Sequence, residues 1–138
     1  MFRVLAIDDD QNDQFVVERW AQRTALAPTV KLLDSGRAAM EYLGSLPESS
    51  PDLPHVIICD IKMPGVDGFD FLAWLRKSPH RHIPVVMWSA SPVDSDVARA
   101  YALGANSYMV KQVDIRKTEQ RIDQLIHYWR DIAEVPGR

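Results

Sequence analysis

The chain has 138 residues, 46% of them hydrophobic and 25% charged, with 16 basic side chains against 19 acidic ones and a net charge of -3. That length suits one domain, over residues 1–138 with a core from about 2 to 133, and the balanced charge excludes the basic footprint of a nucleic-acid binder. The lone cysteine, Cys59, excludes an internal disulfide and fits a reducing compartment. No apolar run approaches a membrane span, and Met1 to Ile7 meets acids too soon for a signal peptide, so a cytoplasmic location is expected.

Val4 to Ile7 is apolar without alternation, the pattern of a strand buried on both faces. Phe15, Val16, Arg19 and Trp20 follow at helical spacing. Thr29 to Leu33 alternates more and suits an outer strand, and Asp34-Ser35-Gly36 reads as a turn opening the second helix. Ala38, Ala39, Tyr42, Leu43 and Leu46 carry that helix; Pro47 to Pro54, with three prolines, is a long loop. Val56 to Cys59 is a third strand. Asp67 then caps a helix marked by Phe69, Leu72, Trp74 and Leu75, with Asp70 in its acidic first turn. Ile83 to Trp88 is the fourth strand. Ser91-Pro92-Val93-Asp94 places a capping serine and a proline at the first helical position, before Val97, Ala98, Tyr101 and Ala102. Gly104 stands where a left-handed helix end is wanted. Tyr108 to Val110 is the fifth strand, and Ile122, Leu125, Ile126, Trp129 and Ile132 run a last helix to about Ala133. Strand and helix alternate five times, which specifies a doubly wound α/β domain with a parallel sheet between two helical layers.

Sites in such sheets form beyond the carboxyl ends of the strands. The first strand runs into Asp8, Asp9 and Asp10, the third into Asp60, the fourth into Ser89 and the fifth into Lys111. Asp10 alone reads as a helix cap, Ser89 alone as a turn hydroxyl and Lys111 alone as a solvated lysine. Four strands each ending in a matching group make a site. Clustered carboxylates repel unless a cation compensates, and hard oxygen ligands without His or Cys select Mg²⁺. A carboxylate screened by metal and faced by an ammonium can act as a nucleophile toward phosphorus, so an aspartyl-phosphate site is expected.

Val4 to Asp10, Cys59-Asp60-Ile61-Lys62-Met63-Pro64-Gly65-Val66-Asp67-Gly68, Trp88-Ser89-Ala90 and Gly104 to Lys111 together resemble the receiver domain of bacterial response regulators, over nearly the whole chain. The resemblance implies a flavodoxin-like sheet of five parallel strands ordered 2-1-3-4-5, with five helices. It implies Asp60 as phosphoacceptor, Asp9 and Asp60 as direct Mg²⁺ ligands, Asp8 acting largely through water, and the backbone carbonyl of Lys62 as third protein ligand. Ser89 corresponds to the switch hydroxyl, Lys111 to the phosphate-pairing lysine and Tyr108 to the aromatic that turns inward on activation. The implied donor is a sensor histidine kinase or a phosphotransfer protein. The output is a changed surface on the fourth helix, fifth strand and fifth helix that binds a downstream protein and allows a homodimer. The expected chemistry is autocatalytic phosphotransfer and self-dephosphorylation, not turnover of a separate substrate. The proline loop, Tyr101-Ala102-Leu103-Gly104 and Tyr128-Trp129 resemble the small stand-alone receivers paired with bacterial phytochromes, and no output domain, nucleic acid or membrane enters the expectation.

Two positions depart from the family pattern. Gln112 replaces the usual proline, so a trans peptide after Lys111 is expected. Lys62 and Ser91 stand where the family tunes phosphoryl lifetime, and Lys62 is expected to lie across the pocket mouth and compete with the metal. Cys59, Trp20, Trp74 and Trp129 read as core, Trp88 as either buried or beside the site, and His80 and His82 as a solvated loop. Three rivals stand beside the receiver. Asp8-Asp9-Asp10 contains the Asp-x-Asp of a haloacid dehalogenase phosphatase but lacks its late acidic pair. A flavin carrier would meet acids where it needs a phosphate loop. A phosphorylation-independent adaptor is motivated by Gln112 and Lys62.

Overall fold

A computed structural model describes residues 1–90 and 93–136. The elements alternate as expected: β1 (Arg3–Ile7), α1 (Gln11–Arg23), β2 (Thr29–Leu33), α2 (Gly36–Gly44), β3 (Val56–Asp60), α3 (Gly68–Arg76), β4 (Val85–Ser89), α4 (Asp94–Ala102), β5 (Ser107–Val110) and α5 (Ile115–His127). The five strands are all parallel, in the order β2-β1-β3-β4-β5. Every residue of the central strands β3 and β4 is buried, whereas β2, at an edge, is half-exposed. The absence of alternation in the one and its presence in the other follow from this layering. Among the described residues no helix is long and apolar enough to cross a membrane.

The core lies in two layers. Leu5, Ile7, Ile57, Cys59, Val85 and Met87 face Leu43 of α2, Phe71, Leu72 and Leu75 of α3 and Ala100 of α4. Val4, Ala6, Ile58, Val86 and Trp88 face Val17 and Trp20 of α1 and Ile122 and Ile126 of α5. Alternate residues of each strand feed opposite layers, as the pleat requires. Trp20 and Trp129 are buried, Trp74 is half-buried against the first layer, and Trp88 is buried in the second.

Local chemistry sets the element ends. Asp10 accepts from the amides of Asn12 and Asp13, Ser35 accepts from Ala38, and Asp67 and Asp70 complete a reciprocal capping box. Gly104 takes φ +104, closing α4 through bonds from its own amide to Tyr101 and from Ala105 to Ala100. Gly68 is required by space: a Cβ there would lie 2.3 Å from the Asp60 carbonyl oxygen. α3 therefore starts directly against the end of β3.

Some expectations shift. β4 begins at Val85 rather than Ile83, because Pro84 has no N–H for the ladder. α4 begins at Asp94 with Val93 in the cap position and no side-chain cap; Ser91 and Pro92, expected to open it, lie outside the described residues. The last helical pattern changes register, passing from α5 into a π-helical turn at Tyr128–Ile132 that keeps Trp129 inward. His80 is a correction. It is buried, and its Nε2 lies 3.0 Å from the Leu43 carbonyl and 2.9 Å from that of Leu46, so it ties the end of α2 to the α3–β4 loop. His82 is exposed as expected.

Candidate functional site

Asp8 follows β1, Asp60 ends β3, Ser89 ends β4 and Lys111 follows β5, so the parallel sheet brings all four to one edge. Cys59 pairs with Ile7 and Asp60 with Trp88 across the sheet, and the Lys111 amide donates to the Ser89 carbonyl at 2.8 Å. Asp8, Asp60 and Ser89 are buried, while Asp9 is exposed. The half-buried Tyr108 packs against the first core layer from β5.

Lys111 is the hub. Its Nζ lies 3.1 Å from Asp60 Oδ1, 3.2 Å from Asp8 Oδ2 and 2.7 Å from Asp13 Oδ2, with the Trp88 ring centroid 4.8 Å away. Burial disfavours its charge, but the hydrogen bond it donates to Asp13 and the charges of Asp8, Asp60 and Asp13 outweigh that and hold its pKa above the ordinary value. Burial raises the pKa of Asp60, with Lys111 opposing. Burial pushes Asp8 up to about 7 against the Asp10 amide and Lys111, while Asp60 and Asp13 add to the rise. The Cys59 thiol is also pushed up, by burial first and by Asp60 and Asp8 next, as suits an inert core residue.

The loop after β5 keeps Lys111 in place without the family proline. No cis peptide occurs among the described residues, so the Lys111–Gln112 bond is trans as expected. The buried Thr118 hydroxyl accepts from the Gln112 amide at 3.1 Å and donates to the Gln112 carbonyl at 3.2 Å, pinning the loop to α5.

Carboxylate oxygens of Asp8, Asp9 and Asp60 all lie within 4.8 Å of one another. Asp8 Oδ2 is buried, with the Lys111 ammonium 3.2 Å away and no further hydrogen bond. Three carboxylates crowded together with no His or Cys ligand, two of them buried, fit a hard divalent cation such as Mg²⁺. Lys62 is exposed and lines a groove with Asp67, Asp96 and Arg99. Among the described residues the cluster's ion pairs run to Lys111, and Lys62 makes none of them. Sequence reasoning missed Asp13. Its signal was the spacing, one helical turn beyond Asp9 and Asp10, which points it back at the strand ends.

Comparison with known proteins identifies the family. The response regulator receiver domain model matches residues 4–123. The chain is 28% identical to a probable methanogenesis regulatory protein, FilR2, of Methanothrix harundinacea, over 99% of this chain and 88% of that one. The structure resembles the phosphorylated cyanobacterial phytochrome response regulator RcpA with a TM-score of 0.89, at 25% identity and 99% coverage of both chains. It resembles the Mn²⁺-bound form of the response regulator Rcp1, a protein of Synechocystis, with a TM-score of 0.86, at 26% identity over 99% of this chain and all of that one. With the matched residues running from β1 into α5 and including every group of the strand-end site, the chain belongs to the response regulator receiver domain family.

Proposed function

We propose that the protein receives a phosphoryl group on Asp60 from the phosphohistidine of a sensor histidine kinase or phosphotransfer protein, as the phosphorylatable element of a two-component system. The carrying observation is Lys111, whose ammonium bridges Asp60 and Asp8 at the carboxyl edge of the sheet. An oxygen of Asp60 attacks phosphorus in line, the phosphorus–nitrogen bond breaks, and the imidazole nitrogen keeps the electron pair and takes a proton. The product is an acyl phosphate on Asp60, which water later hydrolyses to carboxylate and phosphate. Lys111 neutralises charge on the phosphoryl oxygens during both steps. Asp8, Asp9, Asp60 and the Lys62 carbonyl would hold Mg²⁺, which polarises the phosphoryl group and offsets repulsion from the carboxylates when bound.

Ser89 and Tyr108 are the switch pair in this reading. Movement of the Ser89 hydroxyl to the phosphoryl group draws Tyr108 inward and changes the α4–β5–α5 face, where a downstream protein or a second copy docks. Likeness to RcpA, a phytochrome response regulator, supports a phytochrome-type kinase as donor. Phosphotransfer profiling tests the assignment. Mixed with labelled sensor kinases, the protein takes the label from one or more within seconds to minutes. Asp60→Asn and removal of Mg²⁺ both abolish the transfer. A chain left unlabelled by every kinase, or labelled equally after Asp60→Asn, would contradict it.

A further inference from the structure

Two of the three carboxylates around Lys111 belong to the phosphoryl site itself. The third, Asp13, lies on α1, outside the Asp8-Asp9-Asp60 cluster. It makes the shortest of the three contacts, 2.7 Å against 3.1 and 3.2 Å. The contact is largely shielded, with the Lys111 side chain 14% exposed and that of Asp13 24% exposed. Neither end is loose. The Asp13 amide is held by the Asp10 carboxylate at 3.2 Å, and the lysine head lies over the buried Trp88 ring. A phosphoryl group on Asp60 is a dianion that needs the same ammonium. Asp13 would then compete for the lysine and repel the incoming charge.

We propose that Asp13 is a positioning residue that holds Lys111 against α1 in the unphosphorylated protein and releases it when a phosphoryl group occupies Asp60. The phosphoryl group is thereby coupled to the first turn of α1 as well as to the Ser89–Tyr108 side. Asp13 is a brake on phosphoryl capture, and its carboxylate gains solvent and freedom when the brake lets go. This inference rests on Asp60 as phosphoacceptor.

Titration with Mg²⁺ and beryllofluoride, an unreactive phosphoryl mimic, tests it, with Mg²⁺ alone titrated in parallel. Asp13→Asn binds beryllofluoride at least about threefold tighter than wild type, the scale of one partly shielded ion pair. Its Mg²⁺ affinity stays level or falls, because a negative charge has gone. Asp13→Glu returns beryllofluoride affinity toward wild type. In a Lys111→Met background the gain from Asp13→Asn shrinks; an undiminished gain there would mean plain charge repulsion and overturn the positioning role. The carboxyl ¹³C signal of Asp13 in the wild-type protein checks the same point without substitution. It shifts when beryllofluoride binds, and a signal unmoved at saturation overturns the inference. A wild type that binds beryllofluoride while Asp13→Asn binds equally or more weakly also overturns it, leaving Asp60 untouched. A wild type that binds none contradicts the phosphoacceptor itself.

Discussion

Asp8 carries the clearest pH signature in the protein. Its carboxyl is buried, and its pKa in the fold stands at about 7. The unfolded chain releases the same proton near pH 4. The folded state therefore binds this proton more tightly, so the group's favourable contribution is complete below about pH 4 and is lost as pH rises to 7. The full difference is on the order of 4 kcal/mol for an isolated group. In chelator, the stability of wild type should fall relative to Asp8→Asn across that interval by several kcal/mol, and Mg²⁺ should flatten the difference. Parallel denaturation profiles for the two proteins would contradict this account. The acids and the lysine at strand ends were readable because each follows a buried apolar run whose direction is fixed by a parallel sheet. Asp13 offered only its spacing from Asp9 and Asp10, and Trp88 offered nothing that settled its place. The reach of Asp13 depends on the phase of α1, and whether Trp88 is buried depends on which layer β4 sends it to.

At the scale of elements, the loop from β5 to α5 shows how one contact replaces another. Thr118 makes two hydrogen bonds to the backbone of Gln112 and so fixes the residue next to Lys111. Thr118→Val keeps the shape but removes both partners of a partly buried amide and carbonyl, and should cost about 1 kcal/mol in urea denaturation. It should also slow phosphoryl capture by loosening Lys111, whereas unchanged stability and rate would show that the loop is held from elsewhere. Strand and helix identity followed from periodicity throughout. Element ends followed where a side chain makes the cap, as at Asp10, Ser35 and Asp67. They failed where backbone chemistry decides, as at Pro84 and at the π turn after His127. His80 was misread because its partners, the carbonyls ending α2, lie more than 30 residues away in the chain.

For the whole molecule, the parallel sheet between its two helical layers explains why one edge collects the chemistry. Parallel pairing leaves every strand ending on the same side, and the order β2-β1-β3-β4-β5 sets β1 and β3 side by side at the centre. Asp8 and Asp60 thereby meet, and β5 supplies the ammonium from the other flank. The layer holding α1 and α5 receives the lysine through Asp13 and Trp88, while the layer holding α4 packs against Tyr108. A group bound at that edge can therefore act on both layers. Covalent capture at Asp60 is the step on which the proposed function rests. Peptide mass mapping after treatment with phosphoramidate and Mg²⁺ reads it directly. It predicts one acid-labile phosphoryl group per chain, on Asp60, absent when Mg²⁺ is chelated. A phosphoryl group on another residue, or consumption of the donor with no covalent adduct, would contradict it.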